Sequence, residues 1–160
     1  MIKVVSRLAS LMIVAGALVF LSNCGGDDPK DPAQKVQLEK LSTTWNIVSA
    51  TLDGTTRTAD FTGFTLTISG TFNSNDPDGP YNYSVSGTRP TPSPWPASGQ
   101  WEFAVLGTGD TGTLLRSDGV DVTYSISSNN QLTLSFACVE CDYAGSRVEE
   151  VIGDWVFVLD

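Results

Sequence analysis

Histidine is absent from this chain, and basic residues are few: 9 Lys and Arg stand against 18 Asp and Glu, a formal net charge of −9 over 160 residues. Without histidine there is no His-based catalytic triad, no imidazole proton shuttle and no His-bearing zinc site. Without a Lys/Arg footprint there is nothing to hold a phosphate backbone, so nucleic acid is not an expected partner. Only three cysteines occur, too few for a four-thiolate metal site. No metal or cofactor is expected. What remains, 41% hydrophobic residues with 15 Gly and 8 Pro, is the composition of a globular chain with room for one domain.

The first residues read MIKVVSRLASLMIVAGALVFLSNC. Lys3 and Arg7 form a positive head, and Leu11 to Leu21 an uncharged apolar run. That run is shorter than the ~20 residues of a membrane-spanning helix, and fits a signal peptide. Leu21 stands three residues before Cys24. The arrangement resembles the lipobox of bacterial lipoproteins, with Asn23 where Gly, Ala or Ser is usual. The resemblance implies cleavage after residue 23 and lipidation of Cys24, and more than one acyl chain anchors a protein stably to a bilayer. Cleavage would remove two of the nine basic side chains and none of the 18 acidic ones. Retention at an anionic membrane surface would then rest on the lipid. Residues 24–32 include Gly25-Gly26-Asp27-Asp28-Pro29, a composition that builds no core and reads as a flexible tether. The short acidic run after Cys24 also resembles the surface-export signal of Bacteroidota-type lipoproteins; a plain solvated spacer is the other reading.

Residues 33–160 are the expected folded domain. Asp31-Pro32 suits a helix start, with Asp31 as N-cap and Pro32 in the first turn, leading a short helix over 33–41. Val36, Leu38 and Leu41 give it a modest apolar stripe. From Thr43 the period changes to two. Strands are expected around Trp45-Asn46-Ile47, Phe64/Leu66/Ile68, Tyr81/Tyr83/Val85, Trp101/Phe103/Val105, Leu115, Val120/Val122/Tyr124/Ile126, Leu132/Leu134/Phe136 and Trp155/Phe157/Leu159. Each is apolar on one face and mostly Thr, Ser or charged on the other, the mark of antiparallel strands with one buried side. Asp53-Gly54, Asp78-Gly79, Asp118-Gly119 and Asn129-Asn130 punctuate them as turns. Residues 88–98 (TRPTPSPWPAS) read as a stiff extended loop. The predicted fold is all-β: an eight-stranded antiparallel up-and-down barrel, or a related sandwich, after one short helix. Phe64, Phe103, Phe136, Phe157, Tyr83, Tyr124, Trp101 and Trp155 share the inward phase. They would fill most of a barrel this size, which argues for a packed interior over a ligand cavity.

Leu41-Ser42-Thr43-Thr44-Trp45-Asn46-Ile47-Val48 resembles the first strand of lipocalin-like (calycin-like) domains. Ser98-Gly99-Gln100-Trp101-Glu102-Phe103, Arg116-Ser117-Asp118-Gly119, Leu132–Phe136 and Gly153–Leu159 are similar to stretches of small Bacteroidota-type lipocalin-like lipoproteins. Thr43 stands where true lipocalins have Gly. The resemblance covers about residues 41–160. It implies a barrel with a short helix ahead of it and Trp45 plugging one end, and it implies little about activity.

No catalytic motif emerges. Glu102, Asp118, Asp121, Asp142, Glu149 and Glu150 could in principle pair as acid and base, but a solvated face is the simpler reading. Cys138-Val139-Glu140-Cys141 is a CxxC without the helix a redox pair needs, so Cys138 and Cys141 are disulfide candidates. Asn73–Gly79 (NSNDPDG) has the look of a calcium loop, but Val85 occupies the position where a bidentate Glu is required, so a turn is expected. Trp95, set between Pro94 and Pro96, and Trp101 are the candidate ligand-contacting aromatics; Trp95 either stacks on a sugar or folds back as a cap. The expected function is non-catalytic binding or scaffolding by an outer-membrane lipoprotein, facing the periplasm or the cell surface. The alternative is a carbohydrate-binding accessory lipoprotein that uses loop aromatics. The expected partners are the membrane, through the anchor, and a small apolar ligand or glycan.

Overall fold

The computed structural model describes residues 31–139 and 151–160. The signal segment, Cys24, most of the tether, Cys141, Asp142, Glu149 and Glu150 lie outside the described residues. A helix, α1 (Ala33–Leu41), precedes nine strands: β1 (Thr44–Leu52), β2 (Thr55–Thr56), β3 (Thr65–Ser69), β4 (Tyr81–Ser86), β5 (Ser98–Leu106), β6 (Thr111–Arg116), β7 (Asp121–Ile126), β8 (Leu132–Cys138) and β9 (Gly153–Leu159). All pairings are antiparallel. Neighbours in the sheet follow chain order from β3 to β9, and β1 pairs with both β3 and β9. Pairing the first long strand with the last closes an eight-stranded barrel, with β2 an extra two-residue strand beside the end of β1. The predicted barrel is therefore observed.

Alternation fills the inside. Leu66 and Ile68, Tyr81 and Tyr83, Trp101 and Phe103, Val122 and Tyr124, Leu132, Leu134 and Phe136, and Trp155, Phe157 and Leu159 are all buried. Hydroxyls meet across strands on the outer face, as in Thr44–Thr67 (2.9 Å) and Thr65–Ser86 (2.7 Å). The expected phase breaks twice, each time at a bulge. In β5 the register shifts between Phe103 and Val105, so Val105, expected inside, points outward and is 60% exposed. In β1 a shift between Ile47 and Ser49 leaves Val48 exposed and turns Ala50 inward. One extra residue flips every later side chain to the other face and bends the strand, as barrel closure requires.

Two glycines serve the same closure. Gly99 lies opposite Tyr83, and Gly112 opposite Tyr124, each ring resting on the neighbouring strand where a side chain is missing. A Cβ added at Gly112 would sit 2.7 Å from both Tyr124 Cε1 and the Val105 carbonyl oxygen. The Asp53-Gly54 turn closes the β1–β2 hairpin with both residues at positive φ (49° and 76°), the geometry that matches strand twist.

The barrel has two differently closed ends. At the end where β1 begins, α1 lies across the opening. It spans the expected residues, but Pro32 and not Asp31 is the N-cap, without a side-chain cap bond. Its buried face is Gln37, Leu38 and Leu41, with Gln37 taking the place expected for Val36. Trp45 is buried below it and donates its indole N–H to the Leu41 carbonyl (3.0 Å). Gln37 joins helix to barrel, donating to the Gly109 carbonyl (2.7 Å) and accepting from the Tyr124 hydroxyl (3.1 Å). Lys40 pairs with Asp110 alongside and holds that carboxyl below the usual range. At the opposite end, β1 runs on beyond β3, and a 3₁₀ turn (Thr58–Phe61) covers the exposed stretch, with the Ala50 N–H bonded to Thr58 Oγ1 (3.0 Å). Phe61, which strand periodicity does not single out, drops into the barrel edge-on to Phe64, Trp155 and Phe157. Trp155 donates to the Val151 carbonyl there (2.9 Å).

Two measurements test this packing. Gly112→Ala should lower unfolding stability by about 1–3 kcal/mol in chemical denaturation, as overpacking does; a loss under about 0.5 kcal/mol would mean that the Tyr124 ring and the bulge yield freely. The Tyr124 phenol is pushed up to about 12, chiefly by burial and secondarily by the Asp110 charge. An unfolded tyrosine ionises near ~10, so the folded state holds the proton more tightly. The stabilisation is whole below pH ~10 and is lost as pH rises towards about 12. In phenolate absorbance the last tyrosine to titrate should be missing from Tyr124→Phe, and the thermal midpoint of wild type should fall more steeply than that of the variant across this window.

Candidate functional site at the mouth of the barrel

The connection from β4 to β5 carries four prolines, so it cannot extend the sheet and instead arches over the end away from α1. Its backbone is tied by side chains: the Trp95 N–H bonds to Ser93 Oγ (3.2 Å), Arg89 Nη1 donates to the Trp95 carbonyl (2.9 Å), and Arg116 Nη1 donates to the Pro94 carbonyl (3.0 Å). So held, the loop turns the Trp95 ring into the barrel. The ring meets Tyr83, Phe136 and Phe157 edge-on at centroid distances of 5.5–6.1 Å and is 4% exposed.

Arg116 is the buried charge of this end. It ends β6 in the inward phase set by Gly112 and Leu114, and is 3% exposed. Its Nε and Nη2 donate to the two carboxylate oxygens of Asp118, and its guanidinium lies 4.6 Å from the Trp95 ring centroid and 5.4 Å from that of Phe136. A delocalised guanidinium suits such a seat, since it can stack on rings and fork to a carboxylate at once. Burial pushes the Tyr83 phenol up, and the nearby Arg116 charge partly offsets the rise. At this end the Trp95 indole N–H is buried without a hydrogen-bond partner in the protein.

Beneath Trp95 and Arg116, between Tyr83, Trp101, Leu114 and Leu134, the interior leaves a cavity of about 20 Å³. That is room for about one water molecule, far below the ~300 Å³ of an ordinary small-molecule pocket. The packed interior expected from the sequence is what the barrel has.

The sequence-predicted residues fall as follows. Trp95 is the cap and offers no free face to a sugar. Trp101 is also buried, packed on Tyr81 and Phe103, with its indole N–H on the Asn82 carbonyl (3.3 Å). The two rings line the same small cavity from different elements. Glu102 and Asp121 are exposed on the outer wall, while Asp118 is the partner of Arg116. Cys138 is buried and disulfide-bonded, its partner lying outside the described residues. In the Asn73–Gly79 turn, Asn73 Oδ1 accepts from the Asn75 N–H (3.0 Å), while Asp78 accepts from Gln34 (3.1 Å). Among the described residues no three His, Cys, Asp or Glu side chains gather as metal ligands. Sequence reasoning passed over Arg116 and Arg89; the signal for the first was a cation on an inward phase, two residues before an aspartate.

These features define a closed antiparallel β-barrel with a plugged mouth. No family model, no curated protein and no solved structure matches the chain.

The Arg116–Asp118 pair gives a direct test. Asp118→Asn leaves a buried guanidinium without its counter-charge and should cost about 3 kcal/mol in chemical denaturation. The double variant Arg116→Met/Asp118→Asn should recover most of that loss. A double variant as unstable as the single one would show that the guanidinium itself, through Pro94 and the rings, does the holding.

Proposed function

We propose that this chain is a lipid-anchored, lipocalin-like protein of the outer membrane with a non-catalytic binding or scaffolding role. The observation that carries the non-carrier part is the filled interior: side chains occupy the barrel, and α1 and Trp95 close its two ends. A constitutive lipocalin-type cargo has no room there. Recognition without rearrangement of the barrel then falls to the outer wall and rim, where open surface clefts of about 330 Å³ (beside Pro80, Gln100 and Ser117) and about 370 Å³ (beside Lys35, Glu39 and Phe72) lie. The anchoring part rests on Leu21 and Cys24 at lipobox spacing behind an apolar run and a basic head. Buried Trp95 and Trp101 give the carbohydrate reading no exposed ring to stack on, so it stands second.

Metabolic labelling with an alkyne fatty acid, followed by membrane fractionation, tests the anchor. Wild type should take up label and sediment with the outer membrane, and Cys24→Ala should do neither. An unlabelled wild-type protein, or a mature amino terminus other than Cys24, overturns the reading.

A further inference from the structure

We propose that the seat filled by Trp95 is a binding site for an aryl carboxylate, and that the proline-rich strap of residues 90–96 is its displaceable plug. The proposal is independent of the anchoring reading and concerns the barrel mouth alone.

The first observation is how differently Trp95 is held from the other tryptophans. Trp45, Trp101 and Trp155 each sit on a strand and donate the indole N–H to a carbonyl. Trp95 comes from a loop, and its buried N–H has no partner. The seat therefore fits the shape of a flat ring, with edge contacts from Tyr83, Phe136 and Phe157 and a guanidinium beside one face, but offers nothing to an indole in particular. An aromatic ring without that N–H fits it without the unmet donor. The small void beside Trp95 leaves space for a slightly broader ring.

The second observation is charge. Among the described basic residues, Lys35 pairs with Glu39, Lys40 with Asp110, Arg57 with Asp60 and Arg116 with Asp118. Arg89 has no carboxylate partner among the described residues; it is half-buried and donates to the Trp95 carbonyl. Two successive carbonyl oxygens of the strap, those of Pro94 and Trp95, thus take hydrogen bonds from two different guanidiniums. Arg89 stands just before the strap, next to Thr88, whose N–H is bonded to the Thr62 carbonyl (3.0 Å), so when the strap lifts both donors stay behind and lose their acceptors together. A carboxylate presents two oxygens to such donors and adds the charge that a carbonyl lacks, which strengthens each bond. The strap carries in its own chemistry, a ring next to two acceptor oxygens, the outline of the ligand that would displace it.

The strap is also the part of the barrel end with least to hold it. Ladder hydrogen bonds fix β4 and β5 on either side, but at Trp95 the backbone is tied only through side chains. Such segments open more readily than ladder-bonded strands.

The test uses the full chain in detergent, titrated with naphthylacetate and with the neutral naphthylacetamide. Calorimetry should show saturable binding of the acid and roughly tenfold weaker binding of the amide, the discrimination expected of charge-assisted hydrogen bonds. Arg89→Gln should weaken acid binding by about the same factor and abolish the preference. Tryptophan quenching by acrylamide should increase on binding, as Trp95 leaves its seat, and that increment should be missing in Trp95→Leu. Trp95→Leu, with the ring gone, should bind the acid more tightly than wild type. The proposal is overturned if wild type shows no saturable binding, if acid and amide bind alike, or if binding leaves Trp95 shielded. Binding to Trp95→Leu alone overturns it too, because the plug would then be permanent. Should that variant fail to fold, wild type and Arg89→Gln decide the matter by themselves.

Discussion

Hydrogen bonding between β1 and β9 is the constraint on which the rest of this protein depends. It turns a sheet with two edges into one with an enclosed inside, and every inward side chain must then share a volume set by strand number and tilt. Curvature has to come from somewhere, and it comes from the bulges in β1 and β5. Where strands draw close, Gly99 and Gly112 make way for the Tyr83 and Tyr124 rings. Closure also leaves two open ends. One is covered by α1 with Trp45 beneath it. At the other, Phe61 fills the gap where β1 outruns β3, and Trp95 covers the mouth.

The mouth is where packing and polarity meet. An arginine on the inward phase cannot simply be buried; its desolvation must be offset by a counter-charge and by full use of its donors. Asp118, the Pro94 carbonyl and the faces of Trp95 and Phe136 supply those partners. Arg116 thereby joins strand, turn and strap into one unit. The same arrangement leaves the Trp95 N–H unmatched and Arg89 resting on a carbonyl. At this mouth, the loop tryptophan and the half-buried arginine are the groups that the packing of the barrel leaves least well matched.

Much of this architecture is legible in the chain. Alternation in Leu132–Phe136 or Trp155–Leu159 is unbroken, so both the strands and their inward faces can be read directly. Asp53-Gly54 announces its hairpin because few other residues tolerate two successive positive φ values. Val105 misleads for a definite reason: a bulge inserts a residue without altering composition, so the period looks intact while the phase has changed. Gln37 misleads because its burial depends on Tyr124 and Gly109, which lie more than seventy residues away in sequence. The mouth is half legible. Trp95 stands out as the tryptophan off the strand pattern, but nothing local says whether it faces solvent or the interior. Arg116 beside Asp118 reads as an ordinary turn pair until the strap is laid over it.

The sequence by itself determined the antiparallel strands of a barrel or sandwich, the helix ahead of them, the turns and the identity of most core residues. Each of these follows from preferences that act within a few positions: side chains alternating along a strand, glycine at positive φ, proline refusing a ladder. Only the tertiary structure decided that Phe61 and Trp95 complete the filling, that Val105 faces outward, and that Arg89 and Arg116 converge on one strap. Those outcomes depend on which distant groups compete for the same enclosed volume and the same hydrogen bonds, and that competition exists only once the sheet has closed.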